Sequence, residues 1–312
     1  MHAAAISPRG GVAPKTTRLR GQSTIEYVLI AAVIGLVVIF AGPQVSGAIR
    51  NQFNQVTNTV DCGTDGDSFM SAEEKAYREA MKTVASKEAK DWTLDEQKAA
   101  ATDIAKNGTS SVVYAKAKAA MDAGTTWSVK LTNGYSMTYR IIGINHDDLA
   151  DGSGKAGLTF EATNGPVDTY RVNATDTNAG GWEKSELRGR LNSGDLWALL
   201  PSELQSKVQP VTKMTDSQGG GKAGTPSATT DKVFLLSTTE VYGDLDSDGT
   251  QYEYYQSKGV STSNYSGASG YNRWTRSVYV GNSTQFRITG GSGNCVHEWA
   301  SNRLYAFRAF CF

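Results

Sequence analysis

Asp244-Leu-Asp246-Ser-Asp248-Gly249 sets three carboxylates at alternate positions ahead of a glycine, the opening of a loop that can wrap calcium in oxygen ligands. The twelfth position of that loop is Tyr255 instead of a bidentate glutamate, and Glu253 falls two residues early, so an Asp-rich surface turn competes with the cation site. A second run, Asp65-Gly-Asp67, lacks the alternation and reads as a turn. The three cysteines (Cys62, Cys295, Cys311) form no CxxC pair and the histidines are three, which argues against structural zinc. His297 and Glu298 could exchange a proton, but no nucleophile or second carboxylate is placed beside them, so no active site and no cofactor are assigned. Tyr252, Tyr254, Tyr255, Tyr265, Tyr271 and Trp274 crowd one stretch. Such rings stack on sugars or fill protein hot spots when exposed, and equally serve as a satellite core.

What must position these groups follows from the chain as a whole. Its 312 residues allow about two domains, and 20% charged against 39% apolar residues fits a folded protein better than a disordered one. Arg9, Lys15, Arg18 and Arg20 precede residue 22 with no acid among them, which leaves 27 basic against 31 acidic groups over 22–312, a net of −4. The lack of a basic stripe argues against nucleic acid as the main partner.

After the basic leader, Tyr27 to Gly42 carries no charge, and counting from Ile25 the stretch reaches about eighteen residues, near the lower limit for spanning a bilayer. The positive-inside rule keeps the leader cytoplasmic and sends everything after Pro43 outside. Two features do not suit a secretory signal: a glycine before the apolar run, and Glu26 one turn into it, where a carboxylate costs about 2.5–3.5 kcal/mol at the bilayer centre and less near the interface.

Basic leader, Gly21, Gln22, then Glu26-Tyr27 and an apolar run resemble the processing site of type IV prepilins, and the Glu-Tyr pair resembles the Flp, or tight-adherence, branch over about residues 15–60. The resemblance implies that a prepilin peptidase cuts after Gly21 and frees Gln22, and that the helix then moves from the cytoplasmic membrane into a filament of other pilin subunits. It gives Glu26 a partner, the new ammonium of a neighbour's Gln22, since a buried carboxylate is tolerated when paired. A plain membrane anchor with Glu26 at headgroup level is the bland alternative. Flp pilins are short, so some 250 further residues suggest a minor or tip subunit.

Val45, Ile49, Phe53, Val56 and Val60 keep helical spacing, so the first helix is expected over 22–60. Ser71 and Glu74 fit a capping box for a helix to about Lys90; further helices are expected over Leu94–Lys106 and Ser110–Met121, stopping at Gly124. Residues 61–126 thus read as a helical stalk. From Trp127 onward short β-rich runs prevail: WSVKL, SMTYRIIGI, LTFEA, DTYRV, KVFLLS, RSVYV, QFRIT and LYAFRAFCF. Helix is expected around Lys184–Leu191 and Leu196–Leu200, and an exposed glycine-rich loop over Ser217–Gly224.

The strings GGWEKSELRGRLNSGDLWALLP, KVFLLSTTEVYG and the closing RWTRSVYV…LYAFRAFCF resemble an uncharacterised domain of bacterial surface and phage-associated proteins, similar in plan to the C-type-lectin-like fold of formylglycine-generating enzymes. The overall class is then α+β: leader 1–21, pilin helix 22–60, stalk 61–126 and a lectin-like domain 127–312. The resemblance implies a core of Trp182, Leu187, Leu191, Trp197, Leu199 and Leu200. It also implies ligand-binding loops at 244–275 and 281–303 that present Tyr254, Tyr255, Tyr271 and Trp274 to a glycan or protein. Cys295 and Cys311 carry no mark of the reactive pair of that enzyme branch; outside the cell they are either a disulfide or two thiols. The expected function is a pilus subunit that presents a ligand-binding head at the cell surface. The alternative is a membrane-anchored surface protein whose head is formylglycine-generating-like or purely structural.

Overall fold

The computed structural model describes residues 71–164, 168–246 and 248–312. Gly21, Gln22, Glu26, Tyr27, the leader, the helix over 22–60 and the turn at 62–67 lie outside the described residues. Among those described, no helix is long and apolar enough to cross a membrane.

Helix α1 (Ala72–Ser86) starts where the Ser71 hydroxyl accepts the Glu74 N–H, at 3.1 Å. Helix α2 (Leu94–Asn107) has the full capping box: Glu96 N–H donates to Thr93 Oγ1 at 3.3 Å, and Thr93 N–H donates to the Glu96 carboxylate at 2.8 Å. Helix α3 (Tyr114–Ala123) ends at Gly124, whose φ of 67° is the left-handed C-cap conformation that glycine adopts without a Cβ penalty. Buried Asp103 ties these helices together. It accepts from Tyr77 of α1 and Ser111 of the α2–α3 turn, both at 2.5 Å, and from Asn107.

The chain continues through β1 (Thr126–Lys130), β2 (Ser136–Ile144) and β3 (Leu158–Ala162), then α4 (Glu186–Asn192), α5 (Asp195–Ala198) and α6 (Ser202–Gln205). After these come β4 (Val211–Asp216), β5 (Pro226–Asp231), β6 (Val233–Phe234), α7 (Thr238–Tyr242), α8 (Glu253–Ser257), β7 (Arg273–Val278), β8 (Gln285–Thr289), β9 (Cys295–Trp299) and β10 (Ala309–Cys311). The main sheet runs β1-β2-β3-β10-β6 with every neighbour antiparallel, so the last strand of the chain returns between β3 and β6. All five residues of β3 are buried, as a central strand covered on both faces requires. Phe160, Phe310, Phe312, Tyr139 and Trp127 interlock around it, each burial contributing about 1.5–3 kcal/mol. A β4–β5 hairpin and a β7-β8-β9 sheet complete the strands.

The helices expected as a stalk share this core. Trp127 Nε1 donates to the Ala89 carbonyl, Tyr139 OH donates to Gln97, and Asn145 donates to the Ile104 carbonyl. Of the expected core, Trp182, Leu187, Leu191 and Leu200 are fully buried, whereas Trp197 and Leu199 pack partly buried at its edge. DTYRV is no strand; it forms one bridge, Tyr170 to Leu304, and buries Val172, whose N–H donates to the Ala300 carbonyl. KVFLLS pairs only at Val233–Phe234, because Ser237 and Glu240 form a capping box that starts α7. The glycine-rich run Ser217–Gly224 lies in the β4–β5 connection.

Candidate ligand-binding face

Three of the four aromatic side chains expected to meet a ligand are interior. Tyr255 is 0% exposed, Trp274 2% and Tyr254 8%. The reason is a buried charge cluster that needs them. Glu161 of β3 accepts from Arg273 at 2.6 Å, from Arg140 at 3.1 Å and from the Tyr255 hydroxyl at 2.8 Å. Arg140 lies over the Tyr254 ring, 4.0 Å from its centroid, and Trp274 Nε1 donates to the Tyr170 carbonyl at 2.7 Å. Burial, with Glu161 adding to it, pushes the Tyr255 phenol up to about 12 against the pull of Arg273. Tyr252 is interior too and donates to Asp147. Tyr271 alone of the four stays outside, at 42%.

Of the three aspartates only Asp248 is buried, and each accepts from different partners. Asp244 accepts from Thr262 (2.7 Å), Asp246 from Thr238 (2.6 Å) while pairing with Arg287, and buried Asp248 from Thr239 (2.9 Å) and Ser277 (2.5 Å). Hydroxyls and a guanidinium thus occupy the oxygens that calcium would need, and no group of three His, Cys, Asp or Glu suited to a metal forms among the described residues. A Cys295–Cys311 disulfide is not formed. Both are free thiols, Cys295 opposite Thr289 in the three-stranded sheet and Cys311 opposite Thr159 in the main one. Burial pushes the Cys311 thiol well up, away from the reactive thiolate. His297 stacks flat on Tyr279, with centroids 4.0 Å apart, and Glu298 accepts from Asn302.

A second buried network had no sequence signal beyond scattered charges. Lys213 of β4 lies 2.5 Å from both Asp147 and Glu240, and Arg276 of β7 grips Glu240 through two nitrogens. Burial alone would raise the pKa of both carboxylates; Lys213 beside Asp147, and Arg276 with Lys213 beside Glu240, outweigh it and hold both below the usual range. Thr159 and Tyr252 complete the donors to Asp147.

Two adjacent chain segments form an aromatic cluster in which Tyr271 is exposed, Tyr305 half-buried and Phe307 buried. Arg273 and Tyr305 form a parallel bridge, with Tyr305 N–H donating to the Asn272 carbonyl and Trp274 N–H to the Tyr305 carbonyl. That pairing sets the Tyr271 ring 5.0 Å from Tyr305 and 5.5 Å from Phe307, centroid to centroid, with Arg273 beneath Phe307. Tyr135, before β2, joins them: burial first, then the hydroxyls of Tyr271 and Tyr305, pushes its phenol up. Tyr135 also lines a small pocket with Leu131, Met137, Ala162, Asn164, Ala306 and Arg308. Of these groups only Tyr271 was legible as a binding residue. Tyr135 and Tyr305 sit 136 and 34 residues from it on opposite sides, a distance no local pattern bridges.

This arrangement is a mixed α/β unit with a partly exposed aromatic cluster around Tyr271. Residues 20–60, ahead of it in the chain, match the family described as Flp/Fap pilin component, which makes the chain pilin-like. Residues 153–312, just over half of its length, match the family described as Domain of unknown function (DUF6273), and the chain belongs to that family. The match begins after β2, so the helices and the first two strands that complete the sheet come from outside it. No curated protein and no solved structure matches the chain.

Proposed function

We propose that the chain is a minor or tip subunit of a tight-adherence pilus, presenting the folded unit over residues 71–312 outside the cell as a lectin-like adhesive head. The observation that carries this reading is the pilin match at 20–60 directly upstream of a large folded unit with its own core. Gly21 is the cleavage site for a prepilin peptidase and Gln22 the mature N-terminus. Before processing, the apolar segment anchors the chain in the cytoplasmic membrane; afterwards it packs among other pilin subunits. Glu26, in that segment, takes the ammonium of a neighbouring Gln22, so correct axial register relieves an otherwise unpaired charge. The C-type-lectin-like reading of the head is supported by the C-terminal strand returning to the centre of the sheet and by loops that carry a separate small sheet. The face around Tyr271 and Tyr305 is where such a head would meet a ligand.

The test is incorporation. Glu26→Ala should leave the chain in the membrane fraction at the wild-type level and lower its amount in sheared filaments by tenfold or more, a factor equal to about 1.4 kcal/mol. Undiminished incorporation would remove the pairing argument.

A further inference from the structure

Lys213 alone among the described lysines is buried, and its Nζ lies 2.5 Å from Asp147 Oδ1 and 2.5 Å from Glu240 Oε1. Backbone pairing sets the first of these contacts. Leu149 bridges Val211 antiparallel, Thr212 N–H donates to the Asp148 carbonyl and Ala150 N–H to that of Pro210; carried two residues on, that register puts Asp147 opposite Lys213. Phe234 and Tyr252 wall the amine, with Nζ 4.4 Å from the Phe234 centroid, and both carboxylates are as buried as the lysine. The carboxylates differ in how they are held. Glu240 is gripped by Arg276 through both oxygens and accepts the Ser237 N–H, which keeps it anionic. Apart from Lys213, the donors to Asp147 are neutral: Oδ2 accepts from Thr159 Oγ1 at 2.6 Å and from the Tyr252 hydroxyl at 2.9 Å, with Cys311 Sγ at 3.5 Å.

We propose that Lys213 and Asp147 condense into an amide, Nζ to Cγ, with Glu240 carrying the proton between them. A buried ion pair is costly to keep charged, and here the shift of one proton from Nζ to Oδ1 gives a neutral amine and a neutral acid while Arg276 and Glu240 stay paired. The amine then attacks Cγ, and the charge that develops on Oδ2 falls on the Thr159 and Tyr252 hydroxyls. Nζ passes its surplus proton to Glu240 Oε1, which delivers it to the Oδ1 hydroxyl; the C–O bond breaks with its electron pair and water leaves. One N–C bond forms, one C–O bond breaks, and nothing is oxidised. Two groups fixed side by side react at an effective concentration of about 10⁵–10⁸ M, and exclusion of solvent removes the water that would reverse the step. Closure takes Asp147 and Lys213 out of the charge balance and leaves Glu240 with Arg276. The bond joins residues 66 apart and staples the segment after β2 to β4, in a unit whose Cys295 and Cys311 form no disulfide.

The test is a tryptic map of the full chain, denatured before digestion. An acylated lysine is not cut, so the wild type should give one branched species, residues 141–155 joined to 208–222 and lighter than their sum by one water, and no peptide ending at Lys213. Asp147→Ala should release 141–155 and 208–213 as separate peptides. Glu240→Gln, which keeps both reacting groups, should lower the linked fraction in freshly made protein by about tenfold or more. The wild-type map decides the matter whether or not either variant folds. Separate peptides 141–155 and 208–213 from the wild type would overturn the proposal and leave Lys213 in an ordinary buried ion pair. A branch from 208–222 to 233–258, the peptide that carries Glu240, would overturn the assignment to Asp147. Full linkage in Glu240→Gln would overturn the proton-carrying role of Glu240. None of these peptides depends on where the chain begins, so the pilus reading stands or falls separately.

Discussion

Glu240 ties α7 to β4 and β7 through a single buried carboxylate. It caps α7 through Ser237, meets Arg276 through both oxygens and lies 2.5 Å from Lys213, all without solvent. Glu240→Gln keeps the shape and removes the charge, leaving Arg276 without its carboxylate and Lys213 with Asp147 alone; breaking such a pair costs about 3–5 kcal/mol, to be read from chemical denaturation. The same network sets an acid limit. Asp147 and Glu240 have folded pKa values below their ordinary 3.8 and 4.5, so each contributes stability at pH values above these and loses it as pH falls through the folded value. The denaturation midpoint should therefore fall as pH drops below about 4, and fall less steeply in Glu240→Gln. Little of this was legible. The Asp244-x-Asp246-x-Asp248 spacing is plain in the chain, but the partners that claim those oxygens, Thr239 and Ser277 among them, arrive from α7 and β7. The four-residue run Tyr252–Tyr255 reads as an exposed aromatic patch because nothing local announces that Glu161 and Asp147, about a hundred residues earlier, need hydroxyl donors.

At the scale of elements, caps and periodicity were legible where chemistry is local. Thr93 with Glu96, and Gly124, bound helices close to the expected limits, and β2, β3 and β8 fall on the expected strings. Strands β4, β5 and β9 escaped because their inward positions break the apolar alternation: β4 buries Lys213 and Thr215, and β5 begins at a proline. Helix α2 and the main sheet approach so closely at Gly157 that a Cβ there would lie 1.8 Å from the Ala101 carbonyl oxygen. Gly157→Ala should therefore cost about 1–3 kcal/mol or more, with hydrogen exchange quickening first along α2. Gly189, in the exposed turn of α4 with nothing within 4 Å, is the opposite case; Gly189→Ala should add about 0.5–1 kcal/mol by restricting the unfolded chain and favouring helix.

For the whole molecule, the order of the parts is the argument. A pilin component occupies residues 20–60, and the domain that follows needs its own first two strands and three helices, none of them in the 153–312 match, to close its core. A head of this size on every subunit would crowd a thin filament, which favours sparse or terminal placement. The pilin segment at 20–60 was legible because it is read from local sequence, as the family match shows. The aromatic cluster around Tyr271 and Tyr305 was not, because it is assembled from segments that meet only in the folded state. The most direct measurement is the N-terminus of the chain recovered from sheared filaments. The account predicts a chain beginning at Gln22, lighter than the full translation product by its first 21 residues and absent from filaments when Gly21 is blocked. A chain that begins at Met1 and is found only in the membrane fraction would contradict it.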